Sequence, residues 1–193
     1  MADGENLHPS CQEFRDNVAR RFRDLLDQNT FQIVHQESTN FGARCLLVFG
    51  SERCRLRFIF DRGGVEVHIG SINAEVTWSG GEEDRRQWFA LRQAVAFVEG
   101  RRGRTIEEVR EISRAAWEMS SEQYLERQAA MLRPVIGEIC QLFVAAAPAE
   151  RREALERYLM GQPCRRPHAE PACHTTTRTG CRPNQLNLRS MSS

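Results

Sequence analysis

The chain contains no lysine. All 27 of its basic residues are arginine, and they stand against 26 acidic residues in 193. Without lysine, Schiff-base catalysis, a general-base lysine and a phosphate-binding loop that ends in Gly-Lys-Ser or Gly-Lys-Thr are all excluded. Every basic side chain is therefore a permanent cation with a planar set of hydrogen-bond donors.

Long apolar runs and a secretory leader are also missing. No apolar stretch approaches the roughly 20 residues that span a bilayer, and the first six residues, Met-Ala-Asp-Gly-Glu-Asn, are polar and acidic. The seven cysteines are odd in number and form no Cys-x-x-Cys pair. These features predict a cytoplasmic protein without a membrane span or a disulfide framework. We expect Cys45 and Cys54, on apolar faces of predicted strands, to be small core residues.

The common catalytic motifs are absent too. Gly-x-Ser-x-Gly, His-Glu-x-x-His and the deaminase zinc signature do not occur, and no motif calls for a cofactor. A hydrolase that uses His35 or His68 stays open as an alternative, but no fixed carboxylate or cysteine completes a triad or a three-ligand metal site around them. The sequence therefore favours a protein that is not an enzyme.

What the chain does contain is a clear β-hairpin from Cys54 to Ser71. If Arg62-Gly63 is the centre of its turn, the paired positions place six apolar residues on one face. A slip of one residue would mix the apolar and polar sets, so the alternation predicts the register. The apolar residues are Leu56, Phe58, Phe60, Val65, Val67 and Ile69.

The hairpin belongs to a larger α+β pattern. A helix over 10–28 precedes two strands, 31–37 and 43–50, which with the hairpin form a four-stranded antiparallel meander, and a helix over 82–99 follows. The predicted domains are an α+β domain over 1–100 and a helical extension over 101–161. A disordered basic tail over 162–193 ends the chain. The helices of the extension either pack on the first domain or mediate homo-oligomerisation.

The other face of the hairpin is the first candidate binding surface. It carries Arg55, Arg57, Glu66 and His68, with Arg57 opposite His68 in the predicted register. Such a cluster on a rigid sheet could bind an acidic partner or a phosphate. The alternative is a solvated sheet face with ordinary cross-strand pairs.

Arginine-rich segments form a second candidate, for nucleic acid. Arg101, Arg102 and Arg104 lie in a predicted loop, and residues from 161 onward contain five arginines and one glutamate, which leaves a net charge of about −3 for residues 1–160. Neither segment interleaves aromatic residues for base stacking, and the predicted folded part is acidic. Nucleic-acid binding is therefore the weaker alternative.

The tail also contains residue types that bind zinc. These weak candidates lack the tight Cys-x-x-Cys or His-x-x-x-His pairs of known structural sites, so we predict no metal. They are Cys164, His168, Cys173, His174 and Cys181.

Several short motifs between residues 31 and 98 carry a family resemblance. Phe41-Gly42, Leu56-Arg57-Phe58, Asp61-Arg62-Gly63 and Ile69-Gly70 are followed by Trp78 and a predicted helix. This stretch resembles a loose group of short uncharacterised bacterial proteins, some of which belong with toxin–immunity or defence loci. The resemblance implies a small binding module, and it supplies no catalytic residues that can be assigned to this chain.

Together these features predict a cytoplasmic bacterial protein that binds another protein. In an immunity-like role, the mildly acidic residues 1–160 would mask a basic surface of a toxin. The alternatives are a nucleic-acid-associated regulator that uses the arginine segments and a hydrolase that uses a strand histidine.

Overall fold

A computed structural model describes residues 7–78, 87–100, 106–144 and 149–159. Within these ranges the protein is an α+β structure with an antiparallel sheet. The strands are β1 (Gln32–Thr39), β2 (Arg44–Gly50), β3 (Cys54–Asp61), β4 (Gly64–Ser71) and β5 (Trp88–Ala90), and a short 3-10 turn (Asn40–Gly42) joins β1 to β2. The helices are α1 (Pro9–Arg21), α2 (Arg23–Gln28), α3 (Leu91–Val98), α4 (Ile106–Trp117), α5 (Ser121–Leu132), α6 (Ile136–Gln141) and α7 (Ala149–Leu159).

The predicted hairpin register is confirmed. Phe58 pairs with Val67 and Arg57 pairs with His68. Arg62 and Gly63 have φ values of 50° and 88°, which matches a two-residue turn that needs two left-handed residues. Arg62 is exposed and tolerates this conformation at the turn, and side-chain alternation fixes the remaining pairs.

The sheet has five strands in the order β1-β2-β3-β4-β5, whereas the sequence predicted four. The fifth strand, Trp88–Ala90, lies inside the segment predicted as the helix over 82–99, of which Leu91–Val98 is helical. Trp88 and Phe89 are adjacent yet both buried, and they belong to different core clusters. Neighbouring residues point to opposite sides in a strand, so a strand buries both, which a single helical stripe cannot do.

The helices cover one face of the sheet. The helix predicted over 10–28 is divided at Phe22 into α1 and α2. Helix α5 contacts α1, α3 and β4, and its buried Leu125 and Leu132 share one core with Leu56 and Phe58 of the sheet. The helices after residue 120 therefore pack on the α+β unit. Homo-oligomerisation through them stays a prediction.

A disulfide joins α1 to β2, contrary to the expectation of a chain without such bonds. Cys11 and Cys45 are bonded with their Cα atoms 5.6 Å apart, across 34 residues of sequence. Cysteine spacing alone did not reveal this pair, because only the packing of the helix on the sheet brings the two residues together. Cys54 is a buried free thiol, and the prediction that it is a small core residue is confirmed.

None of the described helices is long and apolar enough to cross a membrane. The cytoplasmic location stays a prediction.

Candidate functional site

A segment of chain covers the sheet face that was predicted to be polar and solvated. We call residues 72–78 the strap. Arginine side chains hold it: Arg55 donates a hydrogen bond to the carbonyl of Ala74 (2.7 Å) and Arg57 donates one to the carbonyl of Thr77 (2.9 Å). At the far end, the Arg44 guanidinium lies 4.6 Å from the centre of the Trp78 ring. Carbonyl oxygens and an aromatic ring are good partners for guanidinium groups.

Arg57 is therefore an interior residue. Its side chain is 0% exposed, and its guanidinium lies 4.6 Å from the centre of the Trp88 ring. Beneath the strap is a small apolar cluster that includes Leu46, Val48 and Ile59. The expectation that Arg57 belongs to a solvent-facing docking surface is wrong, because a buried side chain cannot contact a partner.

The remaining predicted residues of this face differ in their exposure to solvent. Arg55 is half-buried under the strap, Glu66 is exposed and His68 is half-buried. The Nε2 atom of His68 lies 3.7 Å from a Glu66 carboxylate oxygen. The structure thus brings the four residues together on one face, as predicted, but uses the arginines to hold the strap.

The two strand histidines do not form a pair. They share one cross-strand row, in which His35 pairs with Val48, Val48 with Arg57, and Arg57 with His68. Three strand spacings separate them by about 14 Å. His35 instead lies beside Glu37 on its own strand, with 3.5 Å between Nε2 and the carboxylate.

An open cleft of about 340 Å³ lies between the turn of the β3–β4 hairpin and the start of α5. Its lining includes Asp61, Glu66, Arg92, Ser121 and Tyr124. Burial raises the pKa of the Tyr124 phenol, the Glu66 charge raises it further, and Arg92 opposes both. Charges of both signs line this cleft, so the charge of its lining does not indicate a class of ligand.

Cys54 and Cys140 are the free cysteines of the described ranges, and both are buried. The Cys140 thiol interacts with the Cys54 thiol, and this hydrogen bond together with burial raises the pKa of Cys54 far above its usual value. A thiol that stays protonated is a poor nucleophile. This pair therefore packs the core between the start of β3 and α6.

The most exposed large apolar side chain among the described residues is Phe41, at 98%. It lies in the 3-10 turn between β1 and β2, with φ 56° and ψ 36°. This left-handed conformation is rare for a bulky residue and costs roughly 1–2 kcal/mol. An aromatic side chain that is both solvated and strained suggests a functional role.

The turn that carries Phe41 is attached firmly to the body of the protein. The Ser10 hydroxyl donates a hydrogen bond to the Gly42 carbonyl (2.9 Å), and the Cys11–Cys45 disulfide lies three residues further along β2. Gly42 has a φ of 81°, and a Cβ there would collide with the ring of His8 and the Ser10 hydroxyl. Glycine is thus required for the start of α1 to approach the turn.

Strand β1 leads into this turn and forms an edge of the sheet. Within the described residues it pairs with β2 alone. Ile33 and Val34 are exposed at 43% and 44%, and the ladder is irregular between Ile33 and His35, so that Val34 is an extra residue. The strand contains no proline and one formal charge, Glu37. A bulge is one of the devices that protect edge strands from pairing, so the regular stretch from His35 to Thr39 is the part of β1 that is open to it.

Phe41 and the β1 edge were not among the predicted site residues. In the sequence, Phe41-Gly42 contributed only to the family resemblance. A large aromatic residue between two turn-forming residues is the signal that could have identified an exposed side chain.

The other predicted sites lie outside the described residues. These are the arginines 101, 102 and 104, and the tail residues Cys164, His168, Cys173, His174 and Cys181. Among the residues that the structure does describe, no group of three or more His, Cys, Asp or Glu side chains could hold a metal ion.

Comparison of the chain with protein families, with curated proteins and with solved structures found no match. The resemblance to short bacterial proteins therefore stays a prediction.

Proposed function

We propose that this protein acts by binding another protein, with Phe41 as the anchor of the contact surface. The observation that carries the proposal is the 98% exposure of Phe41 in a strained turn. Buried aromatic anchors dominate the energetics of protein interfaces. A phenylalanine gains nothing from full solvation in a free protein, whereas insertion into a pocket of a partner would bury nearly all of its side chain.

The rigidity of the turn supports this role. An anchor that is already held in its binding conformation loses little conformational entropy when it binds. The Ser10–Gly42 hydrogen bond and the Cys11–Cys45 disulfide both restrict the chain that directly follows Phe41. We therefore expect the turn to present Phe41 in one preorganised conformation.

Charge indicates the kind of partner. Residues 1–160 carry a net charge of about −3, because the arginine excess lies beyond them. We expect the partner to present an apolar pocket with a basic rim, since complementary charge speeds encounter and disfavours wrong partners. An immunity-like role toward a basic toxin is the narrower form of this proposal.

Substitution of Phe41 by Asn separates binding from folding. Asparagine tolerates the left-handed region, so Phe41→Asn should keep or slightly raise the free energy of unfolding. Loss of an aromatic hot spot typically costs about 2 kcal/mol or more of binding free energy, which is a loss of at least roughly 30-fold in affinity. Stability is measured by urea unfolding, and affinity by calorimetry with the recovered partner.

The partner itself is recovered with a photo-crosslinking phenylalanine analogue at position 41 of the full chain, in an extract of the source organism. The matched control carries the analogue at Ile72, an apolar residue that is 39% exposed and lies beyond the end of β4. A stoichiometric protein crosslinked from position 41 and not from position 72 supports the proposal. Recovery of no protein, or equal affinity of wild type and Phe41→Asn, would refute it.

A further inference from the structure

We infer that the exposed edge of β1 pairs with the same strand of a second copy of this chain, in an antiparallel register centred on Gln36. The inference deepens the proposed function, because it would make a protein with one Phe41 anchor bivalent. Its starting point is an eight-residue edge strand that has one neighbour within the described residues and exposes Ile33 and Val34.

Symmetry restricts the possible registers. In an antiparallel pair, two residues that face one another either both point their N–H and C=O groups toward the other strand or both point them away from it. Within the regular stretch from His35 to Thr39, facing residues of two identical strands must then differ by an even number, so the pairing is centred on a residue. We compare the centres His35, Gln36 and Glu37.

Charge selects among these three centres. A register centred on Glu37 would place two carboxylates directly opposite each other, which is unfavourable. One centred on His35 would pair the two histidines and leave each carboxylate opposite Ile33. The register centred on Gln36 places His35 of each copy opposite Glu37 of the other, and an imidazole and a carboxylate are good cross-strand partners.

The side chains and layers agree with this register. His35 and Glu37 lie on the strap side of the sheet, because they pair with Val48 and Leu46, which belong to the cluster beneath the strap. A two-fold axis perpendicular to the sheet keeps the two straps on one side and the two helical layers on the other. The two sheets would join into one continuous sheet.

The pairing ends at the exposed apolar stretch of β1. Val34 of one copy would lie beside Ser38 of the other at each end of the shared ladder, where the irregularity between Ile33 and His35 interrupts regular pairing. Thr39, the last residue of β1, is three residues beyond the centre, so the two turns that carry Phe41 would begin about 20 Å apart, at opposite ends of the pair. A dimer could therefore bind two partner sites at once, with the gain in avidity that linked sites give.

A charge exchange tests the register in the full chain. His35→Glu places carboxylates opposite each other twice and should weaken dimerisation at least 10-fold in sedimentation equilibrium. The double variant His35→Glu with Glu37→His restores the opposite pairs and should recover wild-type dimerisation. Both side chains are only about a third exposed and pair with each other in the monomer, so unfolding midpoints are recorded for every variant.

Cysteine crosslinking tests the centre directly. In a full-length background with Cys164, Cys173 and Cys181 replaced by Ser, Gln36→Cys should give a covalent dimer under mild oxidation, because facing Cα atoms lie within disulfide range. Glu37→Cys is the matched control, since its two copies would be displaced from each other by two residues along the strands.

Three results would overturn the inference. They are a wild-type chain that stays monomeric at all concentrations, a His35→Glu variant whose dimer constant equals that of wild type, or crosslinking at position 37 as fast as at position 36. The proposed function fails separately, when Phe41→Asn binds the partner like wild type. That substitution should leave the dimer constant unchanged.

Discussion

The two faces of the sheet are covered in different ways. On one face, helices α1, α2, α3, α5 and α6 contribute a large apolar core, in which Phe58 contacts Phe22 and Phe49 edge-on at centroid distances of 4.9 and 5.7 Å. On the other face, seven residues of strap cover a small cluster through arginine contacts. The comparison shows that an arginine on an alternating strand does not identify a solvated face. A short covering segment can satisfy its guanidinium with carbonyl oxygens.

Alanine substitutions at two adjacent residues of β3, whose side chains point to opposite faces of the sheet, should give the largest difference in the free energy of unfolding. Phe58→Ala removes a ring from the centre of the helical core and should lower the free energy of unfolding by about 3–5 kcal/mol. Ile59→Ala, the next residue and on the strap side, should cost about 2 kcal/mol, because a thin cover can collapse onto the cavity. Urea unfolding measures both. An equal or larger cost at Ile59 would contradict the view that the strap face is the minor core.

Removal of the buried arginine tests what holds the strap. Arg57→Ala loses a charged hydrogen bond to the Thr77 carbonyl and the contact with Trp88, and should cost about 2–3 kcal/mol. Hydrogen exchange in residues 72–78 should become faster while exchange in α5 changes little. Arg55→Ala, which loses one half-buried hydrogen bond, is the control and should cost about 1 kcal/mol. Unchanged exchange in the strap after Arg57→Ala would show that other contacts hold it.

The smallest expected effect is on the pH dependence of the free energy of unfolding. It arises at the border between the two faces, in the cleft that Glu66 and Tyr124 line. The pKa of Tyr124 is raised in the folded state, chiefly by burial. The resulting stability is fully present below the unfolded pKa of about 10 and is lost as the pH rises through the folded value. Tyr124→Phe should therefore reduce the loss of stability between pH 9 and pH 11.

The absence of lysine simplifies this measurement, since no lysine side chain titrates in that range. Urea midpoints are compared between variants that all retain Cys54, because its raised pKa acts in the same direction. Tyr158→Phe is the control for removal of a phenol. If Tyr158→Phe reduces the loss of stability between pH 9 and pH 11 as much as Tyr124→Phe does, the effect does not arise in the cleft.

Much of the fold could be predicted from local pattern. The β3–β4 register follows from alternation and a turn at Arg62-Gly63, both of which are properties of adjacent residues. Pro134 divides α5 from α6, because proline lacks an amide hydrogen and clashes with the preceding turn. The site was harder to predict. The apolar side of the hairpin was correctly assigned to the core, but its arginine side was assigned to solvent.

The sequence by itself determined the α+β class, the hairpin register and the helical side of the core, since these depend on periodicity and turn chemistry within short stretches. Only the tertiary structure decided the burial of Arg57, the Cys11–Cys45 disulfide and the exposure of Phe41. Each of these depends on which distant segment lies over a residue. The strap covers Arg57, the packing of α1 on the sheet brings Cys11 to Cys45, and no described segment covers Phe41. Such long-range contacts leave no periodic trace in the local sequence.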